Sequence, residues 1–264
     1  MFPSRRNTIT SSSLELAHTE VHVWHASLEQ PPEVARELET VLTEEDQKRA
    51  GRFRYPAHRR SFIASRGILR ILIHRYTGIR PDQISFNYNM AGKPYLAGPA
   101  SISGLSFNLS HAGLLVLFAF SRGRQVGVDV ECIRPIEEMD RIASWNFSPG
   151  EYRIFQRLPE ESKLQAFYNC WSRKEAFLKA VGDGLSFPLH EIEVFFGNQY
   201  PDTVQGISWG EEAAQQWSMH DIEIPDGYAA SLVVEGYEYS VSHHQWTQSQ
   251  IYESEMQFRE GRSG

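Results

Sequence analysis

Trp171-Ser172-Arg173-Lys174-Glu175-Ala176-Phe177-Leu178-Lys179-Ala180-Val181-Gly182 is the stretch from which the rest of the chain can be read. Phe167, Cys170, Trp171, Phe177, Leu178 and Val181 recur at i, i+3 and i+4, the spacing of one apolar helix face. Gly182 supplies a C-terminal stop. Lys174 falls in the middle of the apolar stripe, Glu175 at its edge, and Lys179 one turn beyond, beside Glu175. A solvated i,i+4 pair accounts for Glu175 and Lys179 but leaves Lys174 unexplained. An ammonium in an apolar stripe is costly unless it snorkels or meets an anion. Two lysines and a glutamate at the wall of a core point to a site for a polyanion, with or without a metal.

The 264 residues suffice for one large domain or two small ones, with a formal net charge of −7. That charge argues against general nucleic-acid binding. No apolar run approaches the ~20 residues of a membrane span, so neither nucleic acid nor membrane is expected as a partner. The two cysteines, Cys132 and Cys170, form no ligand pattern and read as free thiols of a reducing, cytoplasmic compartment. Positive charge is concentrated between Lys48 and Arg80, where ten Lys or Arg occur without an acid. Such a segment is either a solvated basic helix face or an anion-binding wall.

Val21–Ala26 alternates as a strand, and Thr43 caps a helix with three acids in its first turn. A long helix runs from Pro56 to about Tyr76, with Phe62, Leu69, Leu72, Ile73 and Tyr76 inward. Strands are expected at Ile84–Tyr88, Leu105–Ser110, Leu114–Phe120, Val126–Glu131, Ile192–Phe196 and Tyr228–Val234. Ser148-Pro149-Gly150-Glu151 is a capping box ahead of a short helix, which the long helix of the opening stretch follows. Val21 to Thr43 and Val126 to Ser148 are both 22 residues apart, and both halves run strand, short helix, long helix, strands. The expected architecture is therefore α+β, with two similar subdomains at residues 15–122 and 123–245 forming an intramolecular pseudo-dimer. Residues 1–14 are expected to be a disordered start and 246–264 a polar tail. The stretch from Cys132 to Phe147 reads as a loop between the halves and a candidate for partner docking.

Asp129 and Glu131, two apart on a strand, point to one face, with Val126, Val128 and Val130 on the other. A carboxylate pair of this kind suits a hard cation such as Mg²⁺, or merely a solvated strand face; Glu175 could add a third oxygen ligand. Ser110-His111-Ala112-Gly113 ends a strand at a tight loop, a usual place for ligand contacts. Gly92-Lys93-Pro94 is a rigid turn presenting a lysine.

Taken together these motifs resemble a known family. Val126-Gly127-Val128-Asp129, followed 42 residues later by Trp171-Ser172-x-Lys174-Glu175-Ala176-x-x-Lys179, is similar to the 4′-phosphopantetheinyl transferases of the surfactin-synthetase-activating class. Gly92-Lys93-Pro94 and Asn108-Leu109-Ser110-His111 match that class as well, and the resemblance spans roughly residues 20–240. It implies Mg²⁺-dependent transfer of 4′-phosphopantetheine from coenzyme A to a serine of an apo acyl carrier protein or peptidyl carrier domain. Fatty-acid, polyketide and nonribosomal-peptide carriers all qualify, and adenosine 3′,5′-bisphosphate would leave. It further implies Asp129, Glu131 and Glu175 as metal ligands, with Glu175, Lys179 and Asp129 as the catalytic set. Lys174 and Lys179 would meet the phosphates. Ser110, His111 and arginines of the basic stretch (Arg49, Arg60, Arg66) would hold the 3′-phosphate, and Lys93 and Pro94 would line the nucleotide pocket. A monomer is expected. The chain has no GxxxxGK[ST] loop, which argues against transfer driven by a nucleoside triphosphate. A non-catalytic coenzyme A or carrier-binding protein, or a metal-dependent phosphohydrolase, are the alternatives; the first would not need three carboxylates.

Overall fold

A computed structural model describes residues 14–182, 187–194 and 216–251. They form an α+β fold divided into two compact units. One comprises residues 29–84 with the described parts of the two chain ends; the other comprises Leu16–Leu28 and Ser85–Gln245. The expected subdomain boundary near residue 122 falls inside the second unit. Of the expected disordered start (1–14) and polar tail (246–264), residues 1–13 and 252–264 lie outside the described residues, while Trp246 and Ile251 of the tail are buried. No helix among the described residues is long and apolar enough to cross a membrane.

The first unit is helical: α1 (Pro32–Thr40), α2 (Glu44–Ala50) and α3 (Pro56–Thr77). Thr43 caps α2 by accepting from the Asp46 amide, as its sequence indicated. Leu69, Leu72, Ile73 and Tyr76 of α3 are buried, again as expected, while Phe62 near its start is only half-buried; Arg66, Arg70 and Arg75 are buried as well. The ten cations are thus not one solvated face. Asp46 takes the Arg70 Nε at 2.6 Å and faces the Arg66 Nε at 3.4 Å, while Arg70 also donates to Pro81 O and Ile84 O. Sequence patterning missed α1, whose Pro32 opens the helix but whose apolar face is short, with Val34 and Leu38 buried.

The second unit holds three sheets. β1 (Glu20–Ser27) pairs antiparallel with β5 (Leu115–Arg122), which pairs antiparallel with β4 (Leu105–Ala112); on its other side β1 pairs parallel with β9 (Ser240–Gln245). β2 (Ser85–Tyr88) and β3 (Pro94–Ala97) form a hairpin. β6 (Val126–Cys132), β8 (Tyr228–Glu235) and β7 (Trp217–Asp221) make the third sheet, in the order β6-β8-β7. Val126, Val128 and Val130 enter a core with Val21, Val23, Leu115, Leu117, Leu232 and Val234. The opposite face of β6 and β8 meets α6 (Glu160–Val181).

Between β6 and α6 lie α4 (Met139–Asn146) and α5 (Pro149–Gln156). The first of these replaces part of the expected loop at Cys132–Phe147. The Ser148–Glu151 capping box is formed at α5. The strand expected at Ile192–Phe196 is not continuous in its described part: Leu189–Glu191 is a 3-10 turn and Ile192 makes a single bridge, while Phe195 and Phe196 lie outside the described residues.

Helix α6 departs from the amphipathic reading. Ser172, Arg173 and Lys174 are buried along with the apolar stripe, so the helix is enclosed on most sides. Each polar group has a partner: Ser172 Oγ lies 2.9 Å from Ser231 Oγ, and Arg173 forms a two-pronged pair with Asp221. Trp171, Glu175 and Lys179, one turn apart, are the half-buried row. The helix lies unusually close to β6: a Cβ on Gly127 would fall 2.0 Å from Ala176 O and 2.3 Å from Ala180 N. Glycine is therefore required at that position for the two elements to meet as they do.

Candidate active site

Three elements of the second unit converge at the carboxyl-terminal half of α6. From β4 comes Ser110, from β6 Asp129 and Glu131, from α6 Glu175 and Lys179. Lys179 Nζ donates to Asp129 Oδ1 at 2.6 Å and to Ser110 Oγ at 2.8 Å, and Ser110 Oγ donates to the same Asp129 oxygen at 2.9 Å. Strand alternation explains the grouping. Asn108 and Ser110 share one face of β4; Asn108 Oδ1 accepts from the Val128 amide at 2.9 Å, and Ser110, two residues on, reaches Asp129. Asn108 thus replaces a missing main-chain link between β4 and β6, a role its position in a four-residue motif did not disclose.

The electrostatics of the cluster are strained by like charge. Burial and then the Asp129 charge raise the Glu131 carboxyl to about 7, with Glu175 adding to the rise and Lys179 opposing it. Glu175 is raised as well, first by burial and next by Asp129, again against Lys179. Asp129 is 3% exposed, and its Oδ2 is buried without a hydrogen-bond partner. Lys179, with a weaker contribution from Arg134 at Glu131, faces three carboxyl groups, and the cluster has capacity for further positive charge. Among the described residues no three His, Cys, Asp or Glu side chains stand together closely enough to hold a metal ion as they are placed. The donor set itself, three carboxylates with one orphaned oxygen, fits a hard divalent cation.

A cavity of about 680 Å³ opens beside the cluster, lined among others by His111, Glu131, Cys132, Ile136, Phe167 and Trp171. Its lining mixes charged side chains, Glu131, Arg134 and Glu137, with apolar ones such as Ile136, Ile142, Phe167 and Trp171. His111 is exposed as a residue, yet its ring sits in crowded surroundings that, with the Lys179 charge, hold its pKa below the ordinary histidine value.

Three candidates from the sequence are used elsewhere. Lys174 is 0% exposed and ion-paired to Glu151 Oε2 at 2.6 Å; it also donates to Leu189 O at 2.8 Å and Ile192 O at 2.5 Å. The anion that the apolar stripe demanded is internal, and with three acceptors the ammonium has no donor left for a phosphate. Lys93 does not point a free amine into a pocket: its Nζ donates to Val126 O at 3.2 Å and Ala180 O at 3.0 Å. Arg66 is buried and faces Asp46. Arg49 and Arg60 are exposed in the first unit, Arg49 with its guanidinium over the Phe62 ring. Pro94, at the start of β3, is half-buried.

Two family models cover most of the chain. One described as the 4′-phosphopantetheinyl transferase superfamily matches residues 125–233, and one described as 4′-phosphopantetheinyl transferase, N-terminal, matches residues 24–122. The 4′-phosphopantetheinyl transferase HetI of Nostoc sp. is 39% identical over 225 residues, 85% of this chain and 92% of that protein. A 4′-phosphopantetheinyl transferase of Bacillus subtilis is 32% identical over 58% of this chain and 66% of its own length.

Proposed function

The chain belongs to the 4′-phosphopantetheinyl transferase family, and from that premise we propose that it transfers the 4′-phosphopantetheine group of coenzyme A to a serine hydroxyl of an apo carrier protein. The observation that carries the reading is the Lys179–Asp129–Ser110 triangle with Glu131 and Glu175 beside it. Lys179 can meet a pyrophosphate directly, whereas the carboxyl groups suit it only by holding a cation between themselves and the phosphates. A protein that only bound coenzyme A would have no use for the repelling acids.

The serine oxygen attacks the β-phosphorus of coenzyme A, and the bond from that phosphorus to the bridging oxygen breaks. Adenosine 3′,5′-bisphosphate carries away the electron pair. Glu175 takes the serine proton, directly or through a water. Its raised pKa brings it nearer neutrality, where a base both holds its ionised form and accepts a proton readily. Lys179 stabilises charge growing on the phosphate oxygens, releasing Asp129 or Ser110 as it does so. Asp129, Glu131 and Glu175 would hold Mg²⁺, which when bound would offset the pyrophosphate charge. Ser110 and His111 would meet the 3′-phosphate, and Pro94 would line the nucleotide pocket. The two successive family matches, residues 24–122 and 125–233, support reading the chain as two halves that each contribute to the site.

Incubation with coenzyme A, with and without an apo acyl carrier protein, tests the reading by intact mass. A carrier that gains one phosphopantetheine, with adenosine 3′,5′-bisphosphate in equal amount, is the expected result. Cleavage of coenzyme A without a carrier would instead make the protein a hydrolase. Binding without either product, across fatty-acid, polyketide and nonribosomal-peptide carriers, would leave a binding protein.

A further inference from the structure

On the transferase reading given above, we propose that Lys93 is a positioning residue of the reaction, one that fastens the carboxyl end of α6 to the beginning of β6 and so sets Lys179 against Asp129. Its turn, Asn89–Lys93, closes on itself: the Lys93 amide donates to Asn89 Oδ1 at 2.8 Å, the Asn89 amide to Lys93 O at 3.1 Å, and the Gly92 amide to Asn89 O at 3.0 Å. From this rigid base two donors reach the end of α6. Asn89 Nδ2 meets Gly182 O at 2.7 Å, and Lys93 Nζ meets Ala180 O at 3.0 Å. The last carbonyls of a helix lack main-chain partners and carry its negative dipole end, so a cation there is favourable on both counts.

The same ammonium also holds Val126 O, the first carbonyl of β6. Ala180 directly follows Lys179, and Val126 stands three residues before Asp129. The two elements are therefore tied twice, by Lys93 at main-chain carbonyls and by the Lys179–Asp129 ion pair, with Gly127 admitting the close approach between the ties. Lys93 does this at a cost: burial lowers its pKa to about 8. A lysine kept only for solubility or for reaching a nucleotide would not be desolvated against two carbonyls. The resemblance of Gly92-Lys93-Pro94 to a nucleotide-binding turn concerns ligand contact; the side-chain geometry makes Lys93 a fastener of the helix that carries Glu175 and Lys179.

The test compares wild type, Lys93→Met, Lys93→Arg and Asn89→Ala in transfer from coenzyme A to an apo acyl carrier protein, with kcat and KM for coenzyme A separated. Displacement of reacting groups by about 1 Å can cost ~100-fold in rate, so Lys93→Met is expected to lower kcat roughly tenfold to a hundredfold. Because two of the three donors of Lys93 Nζ are held by protein carbonyls, KM for coenzyme A is expected to change by less than about threefold. Lys93→Arg, still cationic, should recover part of kcat, and Asn89→Ala should lower kcat in the same direction by a smaller factor. A rise in KM with kcat unchanged would show Lys93 gripping the substrate and overturn the proposal, as would no change in either constant. Should thermal melts show that Lys93→Met does not fold, the kcat-to-KM split in Lys93→Arg and Asn89→Ala decides. A wild type inert toward every apo-carrier removes the transferase reading itself and this inference with it; an active wild type with an equally active Lys93→Met removes the inference alone.

Discussion

Lys174 and Lys179 stand five residues apart on helix α6, and each meets a carboxylate at 2.6 Å. Distance does not distinguish them; surroundings do. Lys174 and Glu151 have side chains 0% and 1% exposed, and Glu151 is further engaged by the amides of Ser148 and Val194. Every formal demand of that pair is met inside the protein, although burial still raises the Glu151 carboxyl. Lys179 is 30% exposed, and Asp129 keeps one oxygen without a partner while two more acids crowd it. A closed pair of the first kind fastens α5 and the 189–192 turn to α6. An open pair of the second kind is under-neutralised and beside a cavity, which is how a site for an outside charge is built.

The sharpest way to break this contrast is to remove one partner of the closed pair. Lys174→Met leaves Glu151 as a buried uncompensated charge, and unpairing a buried ion pair costs about 3–5 kcal/mol. Denaturant unfolding should show that loss, with coenzyme A affinity of the folded fraction unchanged. Weaker coenzyme A binding at undiminished stability would return Lys174 to the site. The open pair should respond in the opposite manner. Asp129→Asn is expected to lower turnover by about 10²–10³-fold, the typical cost of deleting a preorganised electrostatic group, while stability changes little. Unfolding comparable to Lys174→Met would mean that both pairs are structural.

Added cation gives a third, smaller discrimination. A ligand at a hundred times its dissociation constant stabilises by about 2.7 kcal/mol, so Mg²⁺ should raise the wild-type melting temperature and fail to do so in Asp129→Asn. An equal rise in both proteins would place the cation elsewhere. The smallest effect concerns pH. Glu131 titrates at about 7 in the folded chain, above its ordinary 4.5. Between those values the folded state binds more protons than the unfolded one, so stability without divalent cation falls as pH rises through this window. Glu175 and Glu151 act in the same direction. Asp129→Asn, which removes the charge that adds to burial in raising Glu131, should flatten the slope in part; an unaltered slope would leave burial as the whole cause.

What could be read without the structure follows from how local each signal is. The cap of α2, the capping box of α5, the two long helices and the buried hairpin β4–β5 depend on neighbours a few residues away, and all were legible. So was the unusual position of Lys174, though not its resolution, because Glu151, Leu189 and Ile192 lie 15 to 23 residues distant with no periodic relation to it. Lys93 and Asn89 reached the end of α6 across some 90 residues, beyond any pattern. The strands that escaped notice had little apolar alternation to offer. β9 reads Ser-Val-Ser-His-His-Gln and lies at a sheet edge, while β3 begins on a proline. Of the site, the residue types of β6 and α6 indicated carboxylates and a lysine on facing elements. The spacing could not show that Lys179 would close on Asp129 and Ser110.

The parallel pairing of β1 with β9 has a consequence for how the protein is made. Glu20 finds its register partner Ser240 some 220 residues later. At a synthesis rate of roughly 5–20 residues per second, the ribosome needs on the order of ten seconds or more between emitting these two strands. β5 can dock on one side of β1 much earlier, but the other side, bearing the amides and carbonyls of Val21 and Val23, must wait for β9 to be synthesised. During translation that row is an open strand edge able to recruit a neighbouring nascent chain. Polysomes are therefore where this fold is most exposed to mispairing, and β9, the last strand among the described residues, is the one that closes it.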